Sequence, residues 1–373
     1  MKTIAAVVMS GFLFPTGIVG SGLDQVEVRK IDGVNHILNA DKPLKGTVVL
    51  EADKIIEIDP YQQPEVGMKF FHIARDESGL IILYDPNTSE AHRYSSRGEY
   101  LGPLFKKGQG PGEFSDGIQA QICNGEIWVS DANKVAWFDR NGRYLGETKL
   151  GQHADCFVDK DLFFRSERTR DTESIVLERF FGPGDPRNTT TEYFRGSGVG
   201  MHRDPAGNRS FANIWVTPGG RFIFDPVNRR FYGGMNNAYQ IQVKNLQNET
   251  LFVIEKPHRA IKLSRKDKEK ICYVRSPADN WKIDICPDVM VVSRGFRLLP
   301  NGYLGVLRFT SIEESEYDVF DAEGKFVYVL KHPKDVPFDR MIFHRTGFAV
   351  VLEREDGLVY ADYRVRNLPE IFK

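Results

Sequence analysis

Six residues of this 373-residue chain have the types and positions to bind a ligand: His72, Gln109, Glu113, His153, Asn213 and Arg340. Counting back seven positions from a recurring turn residue marks the expected starts of six inner strands, at His72, Ile118, Ala154, Asn213, Gly295 and Arg340, with His153 one step before Ala154. A ring that mixes His, Asn and Arg is more polar than a sealed core requires. Gln109 and Glu113 lie on GQGPGEF, the segment that leads from one strand unit into the next. A zinc or calcium ion would need three inward histidines or a set of Asn, Asp and Glu ligands. Of the eight histidines, only His72, His153 and His344 fall on expected inner strands, and His344 falls toward the far end of its strand. Structural roles are therefore expected for them, and no metal or other cofactor is assigned.

Other chemistry finds less support. No Gly-x-Ser-x-Gly elbow occurs, and no Cys-x-x-Cys pair. Asp85, Asp131 and Asp225 recur at the expected end of a second strand. Repetition of that kind suits a shared turn-capping role, whereas a catalytic pair would be unique. GQGPGEF lacks the Gly-Lys-Ser/Thr ending of a phosphate loop. Its glycines and proline force a tight turn, as a crossover between sheets requires, and a backbone nest facing a ligand is the functional alternative. Aromatic residues such as Trp128, Trp137, Phe163 and Trp215 sit in strand patterns and read as core.

The elements that hold these residues repeat. Gly79 in FFHIARDESGLIILYD is answered by Gly125 in GIQAQICNGEIWVSD, and 125 minus 79 gives a period of 46; RGEYLG is answered by NGRYLG. A weaker third copy has Asp161 at the glycine position and is followed by a polar excursion from 182 to 209. The fourth copy is SFANIWVTPGGRFIFDP with Gly220, the fifth carries Gly302 and the sixth Gly347. Six units of about 45 residues, four strands each, predict an all-β, six-bladed β-propeller with antiparallel blades. The last unit lacks a fourth strand. A strand within 48–58 can supply it, so the ring is closed by an N-terminal strand. Residues 257–288 differ in texture and predict one helical insertion, with Ser264 as its N-cap.

With RGEYLGPLFKKGQGPGEF, VSDANKVAWFDRNGRYLG and FDAEGKFVYVL in place, the chain resembles the bacterial exported six-bladed β-propeller family related to NHL-repeat proteins. The resemblance runs from about Val48 to Arg366 and implies the fold and export. It implies no catalytic residue.

Composition narrows the partners. With 50 basic and 51 acidic residues the net charge is −1, which leaves no footprint for nucleic acid. The first 22 residues have Lys2, an apolar run from Ile4 to Phe14 and small residues after it, which read as a signal peptide ahead of a single domain over 23–373. No later run is long enough for a stable membrane span. A periplasmic or extracellular monomer is expected. Four cysteines allow three pairings; Cys272 and Cys286 are the favoured pair, and Cys123 and Cys156 read equally as buried thiols. The function expected is binding of a peptide, protein or glycan at the channel face. The alternative is a metal-assisted lyase or lactone hydrolase in the channel, and whether the chain is an enzyme is left open.

Overall fold

The computed structural model describes residues 26–68, 71–115, 117–123, 125–150, 154–168, 172–181, 184–197, 201–203, 209–211, 220–271, 286–333, 336–337, 341–367 and 370–372. The N-terminal segment gives β1 (Glu27–Ile31), β2 (Val34–Leu38), β3 (Thr47–Val49) and β4 (Ala52–Ile58). Blade one is β5 (His72–Arg75), β6 (Ile81–Asp85), β7 (Glu90–Tyr94) and β8 (Tyr100–Pro103). Blade two is β9 (Gln119–Cys123), β10 (Glu126–Ser130), β11 (Lys134–Phe138) and β12 (Tyr144–Lys149). Blade three is β13 (Cys156–Asp159), β14 (Leu162–Arg168), β15 (Thr172–Arg179) and β16 (Thr189–Ser197), followed by a separate hairpin, β17 (Met201–Arg203) and β18 (Arg209–Phe211). Blade four is β19 (Gly220–Asp225), β20 (Arg230–Met235), β21 (Gln240–Lys244) and β22 (Thr250–Glu255), and α1 (Arg265–Ile271) comes next. Blade five is β23 (Ser293–Leu298), β24 (Leu304–Phe309), β25 (Ser315–Phe320) and β26 (Phe326–Lys331); blade six has β27 (Ile342–His344), β28 (Gly347–Arg354) and β29 (Gly357–Val365).

The chain is a six-bladed β-propeller, and its ring closes as expected. β4 pairs antiparallel with β29 as the fourth strand of blade six, with Ile58 opposite Tyr360 and Ala52 opposite Val365. The rest of the N-terminal segment goes further than expected. β1 and β2 form a hairpin through Asp32-Gly33, both at positive φ as a two-residue type I′ turn needs. β2 then lies parallel to β22 on the outer edge of blade four, and β3 lies parallel to β26 on blade five. Residues 27–58 thus form a belt that pairs in turn with the outer strands of blades four, five and six.

Asn39 fastens the belt where it passes between blades. Its side-chain amide donates to the carbonyls of Ile37, Glu255 and Gly324, and its carbonyl oxygen accepts the Phe326 N–H at 2.7 Å. The residue is fully buried, so these bonds replace water that its polar atoms would otherwise lose.

The core lies between blades, one apolar cluster per interface. Trp128, Val135 and Leu150 of blade two meet Phe157 and Phe163 of blade three. Ile58, Phe71 and Tyr94 meet Ala349 and Tyr360 where blade six returns to blade one. Alternate residues on each strand face the neighbouring blade, which is why the strands read as apolar on both faces.

The turns joining third and fourth strands share one design in blades one, two, four and five. Ser95, Asp139, Asn245 and Asp321 each use a side-chain oxygen to accept backbone N–H groups two and four residues on. The residue three positions later has positive φ: Gly98, Gly142, Asn248 and Gly324. At Gly324 an added Cβ would lie 2.9 Å from both Ile254 and Phe252, whereas at Gly125, also at positive φ, it would meet nothing. Gly125→Ala is expected to cost about 1 kcal/mol for the left-handed backbone alone. Gly324→Ala adds overpacking and is expected to cost at least about 2 kcal/mol. Urea midpoints compare them, and equal losses would remove the packing argument.

The fourth repeat corrects the sequence pattern. Gly220 begins a strand, and β19, ending at Asp225, is the innermost described strand of blade four; it was expected to be the second. The cause is a turn used twice. Asp85-Pro-Asn-Thr-Ser-Glu and Asp225-Pro-Val-Asn-Arg-Arg both cap with the aspartate and reach positive φ at the fifth residue, Ser89 or Arg229. One joins second and third strands, the other first and second. The capping role expected for Asp85, Asp131 and Asp225 is what their hydrogen bonds show.

Candidate functional site

The expected site residues divide into three described and three not. His72 is the first residue of β5; its exposed ring stacks on Tyr84, 5.5 Å away and tilted by 25°. Gln109 is exposed on the crossover from β8 to β9. Glu113 turns back into its own loop, where its carboxylate accepts the Gly110 N–H at 3.0 Å. Glu147 of β12 accepts the Gly112 N–H at 2.9 Å. Lys134 donates to the Gly110 carbonyl at 2.8 Å and lies 5.1 Å over the buried Phe114 ring. Two of the loop's amides are therefore engaged by carboxylates of the chain itself. His153, Asn213 and Arg340 lie outside the described residues.

His344 sits in a buried network between blades six and one. Its Nε2 is 2.9 Å from Asp362 Oδ1, and Arg75 and Tyr360 donate to Asp362 Oδ2, each at 3.1 Å. Burial works against ionisation of Asp362, but the hydrogen bond and charge of His344, with Arg75, outweigh it and hold the carboxyl below its ordinary value. Among the described residues no three His, Cys, Asp or Glu side chains are grouped to hold a metal. No described helix is long and apolar enough to cross a membrane. Cys286 is disulfide-bonded and Cys156 is a thiol outside any disulfide, while Cys272 lies outside the described residues.

A cleft of about 1720 Å³ opens between blades four and five, where β22 hands over to β23. This is the crossover face on which His72 and Gln109 also lie. Leu38 to Lys42 of the belt form one wall, and Pro257 to Lys262, the start of the insertion, form another. Met290 to Val292, Arg308 to Thr310 and Glu316 complete it. The insertion wall is held by the Leu263 N–H to Asp288 and the Met290 N–H to Ile261 bonds, and by a small core of Leu263, Cys286 and Met290. Ser264 caps α1 as expected, bonded reciprocally with Asp267.

Charges lie beneath the cleft. Lys256, with 2 % of its side chain exposed, lies between the Tyr239 and Phe326 rings and points to the fully buried Asp318 at 3.3 Å. Asp318 Oδ2 also accepts from Tyr239 at 2.7 Å and from Arg308 Nε at 2.8 Å, and Arg308 pairs further with Glu316. Burial, and then the positive charges of Lys256 and Arg308, push the His258 imidazole below its ordinary value. The sequence signal for this site was the basic stretch His258-Arg259-Ala260-Ile261-Lys262 at the head of the insertion. The belt wall had no local signal, because it is brought there by pairing with β22 and β26.

No family model matches the chain, and no curated protein matches it. Among solved structures it is similar to a member of the DUF4221 family from Bacteroides vulgatus, at 11 % identity over 86 % of this chain and 98 % of that one, with a TM-score of 0.49. It is also similar to a Bacteroides fragilis protein inferred to be exported, at 12 % identity over 87 % and 99 % of the two chains, TM-score 0.47. Virginiamycin B lyase from Staphylococcus aureus aligns at 8 % identity over 84 % and 100 %, TM-score 0.39. The six-bladed architecture rests on the chain's own sheets.

Proposed function

We propose that the chain is an exported binding module that holds a peptide, protein or glycan on the crossover face of its ring. The observation that carries this is the cleft of about 1720 Å³ walled by the belt and the insertion. A space of that size, lined by both charged and apolar side chains, suits a ligand of several residues or sugars. The belt wall is fastened by the bonds of Asn39 and the insertion wall by the Leu263–Asp288 and Met290–Ile261 bonds, which place both before a ligand arrives. Export is supported by the apolar segment after Lys2 and by the disulfide at Cys286, since disulfides persist in oxidising compartments.

Peptide and glycan arrays probed with the labelled chain test the proposal. Ala260 is exposed and lines the cleft, so Ala260→Trp obstructs it without disturbing a core. Array signals are expected with the wild-type chain and are expected to fall at least tenfold with Ala260→Trp. Signals that ignore the substitution, or a silent array, would count against the site.

A further inference from the structure

We infer that the cleft between blades four and five takes an extended acidic peptide; this rests on the binding-module proposal and deepens it by naming the ligand's class. Charge is the first ground. Six Lys or Arg side chains line the cleft against three acidic ones, Asp41, Glu255 and Glu316. Glu316 is engaged by Arg308, and Glu255 by His36 at 2.5 Å. Lys42, Arg259 and Lys262 are exposed and have no carboxylate partner among the described residues. An anionic ligand gains attraction from all three, and apolar side chains spaced between its carboxylates have the exposed Ala260 and the half-buried Ile261 and Phe309 to pack against.

Backbone is the second ground. Residues 257–260 are exposed and make no backbone hydrogen bond to a described residue, up to the point where Lys262 bridges Val289. Such a segment can accept an added strand, whose main chain bonds to it while alternate side chains reach the cleft. An acidic sugar shares the charge but not the repeating N–H and C=O groups.

Asp41 supplies the third. Its carboxylate lies 3.6 Å from Lys256 Nζ, yet the side chain is 82 % exposed. A loosely held carboxylate from the belt thus covers the outer side of a buried ammonium group whose inner side is paired with Asp318. A peptide carboxylate arriving there replaces Asp41, so Asp41 is a competitor built into the chain.

The test uses the intact chain and a fluorescein-labelled decapeptide of alternating Glu and Val, followed by anisotropy at low and physiological salt. Wild type is expected to bind, and more weakly as salt rises. Arg259→Ser with Lys262→Ser is expected to weaken binding at least tenfold, and Asp41→Asn to strengthen it severalfold, with unchanged unfolding midpoints for the exposed pair. A hexamer of galacturonic acid is expected to bind at least tenfold more weakly than the peptide. Unchanged affinity in the double variant, weaker binding in Asp41→Asn, or equal binding of the oligosaccharide would overturn the inference. Peptide binding that fails while Ala260-dependent array signals persist would overturn it and leave the binding module standing; silence in both would remove both.

Discussion

Asp318→Ala is expected to destabilise the folded chain by about 3 kcal/mol or slightly more, the lower part of the range for breaking a buried ion pair. Asp318 is fully buried and Oδ2 serves three donors at once: Arg308, Tyr239 and Lys256. Removing it leaves an ammonium and a guanidinium facing each other across the interface between blades four and five. Both cations keep a second partner, Glu316 for Arg308 and Asp41 for Lys256, which sets the loss near the lower limit. The sign of a double substitution separates the electrostatic cause from simple loss of packing. Lys256→Met beside the Tyr239 and Phe326 rings retains the apolar stem and removes one stranded charge. Added to Asp318→Ala, it is expected to recover about half of the loss, since an apolar replacement of a buried pair is often neutral. Urea denaturation of the four chains gives the cycle. A single variant that loses less than about 1 kcal/mol, or a double variant that loses the sum of the singles, would show that the network carries no net charge stabilisation.

What was legible in the sequence follows from what is local. Blades one, two, four and five repeat because each closes its last hairpin with the same turn, and RGEYLG, NGRYLG and AEGKF mark that turn by its glycine at positive φ. Asn248 performs the same task at the fourth blade, as a residue that also tolerates left-handed backbone, so the turn is kept there without its glycine. Misregister in blade four arose from an equally local signal. The Asp-Pro turn caps any hairpin, and its sequence does not record which pair of strands it joins. The belt was half legible. A strand within 48–58 read as the closing strand because blade six lacked its fourth, whereas nothing in the sequence of the hairpin at Asp32-Gly33 said which blade it would join. Its β1 side chains from Val28 to Ile31 are exposed. The cleft was least legible, since the belt and insertion walls are 215 or more residues apart in the chain and meet through the parallel pairing of β2 with β22 and β3 with β26 and the bonds of Asn39.

Closure gives the second large effect. A chain beginning at residue 60 is expected to form no compact monomer, whereas one beginning at residue 50 keeps β4 and is expected to form a closed but less stable ring. β4 covers the edge of β29, and its loss exposes a row of unpaired N–H and C=O groups on a long strand. It also removes Ile58, 2 % exposed between blades six and one, where a buried Ile contributes about 1.5–3 kcal/mol. Ile56 packs beside it, close to Gly98, so blade one loses a surface as well. Losing only β1 to β3 uncovers the outer edges of blades four and five and deletes Asn39, whose amide bonds both. Each of those blades retains four strands, and the interface clusters between them stay whole. Size-exclusion chromatography with small-angle scattering separates the outcomes: an expanded or aggregated chain from residue 60, and a compact monomer with a lower urea midpoint from residue 50. A compact, fully stable monomer from residue 60 would show that blade six holds its place with three strands, and the pairing of β4 with β29 would then be a seal on a ring already closed by its apolar interfaces.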